Sequence, residues 1–147
     1  NLTSNANIAI GSVTLNKHTT GDGNIAIGHN ALYTDISGVG NTAVGYNSLY
    51  SNTSGSWNTS VGYSTLSSNT TGQLNTVIGR TSMQANTTGS YNTVNGSGSL
   101  YLNTTGSQNT ALGYGSLPNN TTGIKIAMGS YKRIDTPTIN PILNSMV

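Results

Sequence analysis

The chain has 147 residues, of which 33% are hydrophobic and 5% charged, with no cysteine and a formal charge of +2. This composition excludes a thick globular core, a disulfide framework and a thiolate metal site, and its low charge separates it from disordered chains, which pair low hydrophobicity with substantial net charge. Lys125, Lys132 and Arg133 lie beyond residue 123, while Lys17 and Arg80 balance Asp22 and Asp35 before it, so there is no basic stripe for nucleic acid and no apolar run long enough for membrane insertion.

Taken in chain order, the predicted elements are copies of one unit. Pentads begin at Asn7, Asn24, Asn41, Asn58, Asn75, Asn92 and Asn109, a constant step of seventeen positions, and each ends in glycine (Asn41-Thr-Ala-Val-Gly45 is typical). A second glycine column, Gly21, Gly38, Gly55, Gly72, Gly89, Gly106 and Gly123, keeps the same step. If each unit is one coil, a single inserted residue would push every later side chain off its ladder, so constant length implies stacked, in-register coils. Paired glycines with abundant Asn, Thr and β-branched residues disfavour helix, and the short pieces T-A-V and S-L suit strands of three or four residues with glycine at the corners. The reading is an all-β parallel β-solenoid with one coil per repeat, about seven coils and roughly 34 Å long at ~4.8 Å per coil.

Two columns supply the expected aliphatic core. One is Ile10, Ile27, Val44, Val61, Ile78 and Leu112, with Asn95 as its exception; the other is Leu15, Leu32, Leu49, Leu66, Met83, Leu100 and Leu117. Small residues precede both columns and either face a narrow interior or permit close contact with another chain. Such a thin core calls for subunit contacts as well as backbone ladders. After Gly123 the segment Ile124-Lys-Ile-Ala-Met-Gly129 is one residue short of register. The chain thus divides into a β-solenoid repeat domain, 1–123, and an irregular terminal coil with a C-terminal cap or connector, 124–147, in which Pro137 and Pro141 are barred from central strands.

The units Asn41-Thr-Ala-Val-Gly-Tyr-Asn-Ser-Leu-Tyr-Ser-Asn-Thr-Ser-Gly55 and Asn109-Thr-Ala-Leu-Gly-Tyr-Gly-Ser-Leu-Pro-Asn-Asn-Thr-Thr-Gly123 resemble repeats of bacteriophage tail-fibre proteins and related bacterial surface proteins. The pentad also resembles the head repeat of trimeric autotransporter adhesins. The resemblance implies a left-handed β-roll, a homotrimer, a place on a virion tail fibre or cell surface, and a host receptor or glycan engaged through adjoining regions.

Catalytic and cofactor chemistry find little footing. His18 and His29 fall in different repeat columns, Glu is absent, and Asp22, Asp35 and Asp135 have no recurring partner, so neither a triad nor a carboxylate pair is expected. The glycines read as corners rather than phosphate loops, no metal-ligand spacing occurs, and no enzyme, metal or cofactor is assigned. Asn52, Asn69, Asn86, Asn103 and Asn120 each open an N-T-S or N-T-T sequon. A glycan on every coil would be too crowded at ~4.8 Å, which favours an asparagine ladder over a glycosylated extracellular filament. Thr42, Thr59, Thr76, Thr93 and Thr110 form a threonine row, and the N-T-V-x-G form at Asn75–Gly79 and Asn92–Gly96 resembles grass ice-binding proteins. The row counts as one residue wide, and ice binding stands as the alternative. Tyr33, Tyr50 and Tyr101 share a column, as do Trp57 and Tyr91, and they read as surface aromatics.

Overall fold

The computed structural model describes residues 6–130. Eight strands of three residues form one sheet in sequence order: β1 (Ile8–Ile10), β2 (Ile25–Ile27), β3 (Thr42–Val44), β4 (Thr59–Val61), β5 (Thr76–Ile78), β6 (Thr93–Asn95), β7 (Thr110–Leu112) and β8 (Ile126–Met128). Every pairing is parallel, and from β1 to β7 partners hold the same position in successive repeats, as in Thr42 beside Thr59 and Val44 beside Val61. No helix occurs among the described residues. The chain is an all-β parallel solenoid with one coil per repeat.

Two further stretches of each coil bond to the next. On one, Leu32 N–H donates to the Ser48 carbonyl and Leu49 N–H to the Thr65 carbonyl, each at 3.1 Å; on the other, Thr53 N–H donates to Thr70 and Thr70 N–H to Thr87, each at 2.9 Å. The first has an unusual backbone. Leu32, Leu49, Leu66, Met83, Leu100 and Leu117 have φ between 47° and 52°, in the left-handed region. For a branched L-residue that region costs about 1–2 kcal/mol. The twist turns each side chain inward, and complete burial returns about 1.5–3 kcal/mol per residue.

The interior corrects one expectation. Leu32, Leu49, Leu66, Met83 and Leu100 are fully buried, Leu117 is nearly so, and Leu15 is half-buried against the same cluster. What faces them is the middle strand position: Ala26, Ala43, Ser60, Val77, Val94, Ala111 and Ala127. The column Ile10, Ile27, Val44, Val61, Ile78 and Leu112, expected inside, points out; Ile10 is 58% and Ile78 41% exposed. In a three-residue strand only the middle position can face opposite to its two neighbours. With long leucines already filling the interior, that position has room for a small side chain. Ser60 shows how closely this is met: its hydroxyl donates to the Thr65 carbonyl at 3.0 Å and accepts from Ser48 Oγ at 2.7 Å.

Asparagine lines the corners. Along the pentad column each backbone N–H donates to the side-chain oxygen of the asparagine one coil back, as Asn41 to Asn24 at 2.9 Å and Asn58 to Asn41 at 3.0 Å. Its Nδ2 donates to a glycine carbonyl of the following corner, as Asn41 to Gly55 at 2.8 Å. Glycine is obligatory there because the coils touch: at Gly28, with φ +129°, a Cβ would lie 2.7 Å from the Gly45 carbonyl oxygen, and at Gly38 it would lie 2.7 Å from that of Gly55. The last step is shorter by one, pairing Thr110 with Ile126. One buried hydroxyl loses its bond there. Thr14, Thr65 and Ser99 each donate to the glycine carbonyl at the matching corner of the next coil, whereas Ser116 Oγ in the same column has no partner. Pro137, Pro141 and Asp135 lie outside the described residues.

Candidate functional site

The feature that the fold leaves without an internal role is the outer side of the sheet. Strand alternation places two columns there: the threonine row, begun by Ile8 and Ile25, and the valine/isoleucine row. The face is therefore two residues wide, one more than the sequence reading allowed. Among the described residues, the hydroxyls of Thr42, Thr59, Thr76, Thr93 and Thr110 make no hydrogen bond. The threonines of another side behave differently: Thr53, Thr70 and Thr87 each donate to a carbonyl one coil on, at 3.0 Å. One threonine ladder is spent on the stack, and the other is turned outward beside a row of methyl groups.

Aromatic side chains border the strands. Two residues after them, His29, Tyr46 and Tyr63 stack in sequence with centroids 5.4 and 5.1 Å apart. Tyr33 and Tyr50 stack at 5.1 Å and 4°, with Lys17 Nζ 5.5 Å from the Tyr33 centroid. These ring faces cover one another, so the stacks add cross-coil attraction rather than open platforms for a planar ligand. Two residues before the strands, Trp57, Leu74 and Tyr91 are all exposed. The Trp57 indole lies over Gly40, where any Cβ would run into the ring.

The second asparagine column is an internal ladder. Asn69 Nδ2 donates to Asn52 Oδ1 at 2.9 Å and to the Gly72 carbonyl at 3.0 Å, and Asn86 and Asn103 repeat the pattern. Asn52, Asn69, Asn86 and Asn103 are completely buried, and Asn120 nearly so. Their amides are closed to a glycan in the folded chain, which removes the structural basis for a sugar on these five sequons.

His18 and Asp35 belong to this same column and are in contact, which the sequence reading missed. His18 Nδ1 lies 2.7 Å from Asp35 Oδ2, and Asn52 Nδ2 donates to Asp35 Oδ1 at 2.7 Å. Both side chains are buried, at 1% and 0% exposure. Burial pushes the Asp35 carboxyl above its ordinary range, with hydrogen bonds from Asn52, His18 and the Gly38 backbone pulling the other way. The available signal was column arithmetic: 18, 35 and 52 differ by one repeat length each. His29, in its different column, is on the surface.

No group of three or more His, Cys, Asp or Glu able to hold a metal ion occurs among the described residues, and no helix there is long and apolar enough to cross a membrane. Comparison of the chain with family models, with curated proteins and with solved structures finds no match.

Proposed function

We propose that this chain is a structural shaft or spacer, built from copies packed side by side as a homotrimer, that holds a recognition element away from a viral particle or cell surface. The observation that carries the reading is the outer aliphatic row, unpartnered on the single chain and interrupted only at Asn95 along eight strands. Apolar surface repeated from coil to coil, Asn95 apart, favours lateral association along the rod over a single docking point. The interior supports the same reading, since nearly all buried polar groups are spent holding one coil to the next, and a reiterated unit sets length without a unique site. Sedimentation of the purified chain at micromolar concentration is expected to give the mass of a trimer. The substitutions Val44→Lys, Val61→Lys and Ile78→Lys together should shift it to monomer while the far-ultraviolet dichroism persists. A native chain that sediments as a monomer overturns the packed shaft.

A second reading uses the same face. Threonine hydroxyls free of protein partners, repeated at ~4.8 Å beside methyl groups, form a regular array that can order water, which favours ice binding. The two readings exclude one another wherever the face is covered by another copy. Thermal hysteresis by the native chain, abolished in Thr59→Tyr/Thr76→Tyr with the fold intact, would decide for ice; its absence leaves the shaft.

A further inference from the structure

We infer that the His18–Asp35 contact is a proton-operated latch that fastens the first two coils to the rest of the solenoid. The two residues stand where five later coils carry asparagine. An asparagine ladder satisfies itself because each side chain brings one acceptor and one amide donor. Histidine and aspartate do not match each other in that way without a shared proton.

The proton inventory follows from the partners. His18 Nε2 is 2.8 Å from the Gly21 carbonyl oxygen, which only accepts, so Nε2 carries a hydrogen, reproducing the bond that Asn52 Nδ2 makes to Gly55 at 2.9 Å. With Nε2–H fixed, the 2.7 Å contact between Nδ1 and Asp35 Oδ2 needs one proton between them, on the imidazole or on the carboxyl. Loss of that proton leaves a ring lone pair facing a buried carboxylate. Moving the remaining hydrogen to Nδ1 repairs that contact but turns a lone pair on Nε2 toward the Gly21 oxygen. Asn7 Nδ2 and the Gly21 N–H make only long contacts to Nε2, 3.4 Å each, which offset that repulsion in part. Either way one short bond becomes a repulsion in a site closed to water.

Among the described residues, no other charged side chain bonds to His18 or Asp35. The groups bonded to Asp35 are His18, Asn52 and the Gly38 backbone. Lys17 and Asp22, the nearest charged residues along the chain, are exposed, and Lys17 Nζ is engaged over the Tyr33 ring. The sign is then fixed. Release of the shared proton would leave a bare carboxylate buried beside a ring lone pair, so the contribution of this contact to stability is lost as pH rises through the value at which the folded pair gives the proton up. The first coils close with the proton and loosen without it.

Amide hydrogen exchange on the full chain tests this. Protection of Leu15, Thr19 and Asn24, corrected for intrinsic rates, is expected to fall by up to about tenfold per pH unit across the titration, one proton being released. Protection of Leu66, Thr70 and Asn75 should stay level. Asp35→Asn restores the residue of the later coils and lets its amide donate to a neutral His18, so it should fold and lack the loss of first-coil protection that the native chain shows as pH rises. The His18→Asn/Asp35→Asn chain should do the same. In the native protein, nitrogen-15 shifts should report His18 with a bonded hydrogen at Nε2 and a shared one at Nδ1, with His29 as the exposed reference. Equal pH dependence in the native chain and Asp35→Asn, or a His18 ring lacking the Nε2 hydrogen, overturns the latch.

Discussion

Asn69→Ala is expected to lower stability by roughly 2–6 kcal/mol, among the largest effects of any single substitution in the middle of the rod. The removed amide donates to Asn52 Oδ1 and the Gly72 carbonyl, and its oxygen accepts from Asn86 Nδ2 at 2.8 Å. Truncation strands a buried acceptor in one neighbouring coil and a buried donor in the other, and no water reaches them, since all three asparagines are completely buried. Asn69→Asp should be as damaging at neutral pH, because the preceding coil offers Asn52 rather than a histidine to share a proton. Urea unfolding followed by circular dichroism measures both; a loss below about 1 kcal/mol would mean that the ladder is incidental to stability.

Leu66→Ala, on the inner side, is expected to cost about 2–5 kcal/mol, because a fully buried side chain is replaced by a cavity in a core one residue thick. Val61→Thr, earlier in the same coil but on the outer side, should change the stability of the dispersed single chain by no more than about 0.5 kcal/mol. The contrast tests which strand position faces in. Comparable losses at both sites, measured as midpoint shifts at unchanged slope, would place the valine column inside after all.

Repeat length and strand direction are legible in the sequence because each depends on spacing. Glycines recurring at the same place in every repeat mark where coils touch, as Gly28 meets Gly45, and no other residue can stand there. Facing was harder. Hydrophobicity alone sends Val61 inward and Ser60 outward, yet the width of the interior is set by leucines on the opposite stretch, a tertiary fact that no local pattern carries. The leucines themselves adopt a left-handed backbone that their residue type does not announce, since propensity ties that region to Gly and Asn. The outward face is half legible: spacing marks its threonines as a row, while the hydrophobicity of their partner column points to the core. His18 and Asp35 were overlooked because each is a single departure from an asparagine column and becomes a pair only when the coils are laid over one another.

Because no hydrogen bond among the described residues reaches beyond a neighbouring coil, the rod has no feature that counts its own coils. Removing residues 58–74 would set the pentad at Asn75 against the one at Asn41 with glycine, leucine and both asparagine columns still aligned. Gene segments of this kind can recombine out of step, and each event changes reach by one fixed increment of ~4.8 Å without requiring a new contact. Reach is thus a quantity that selection can adjust in whole coils, independently of whatever is carried at either end.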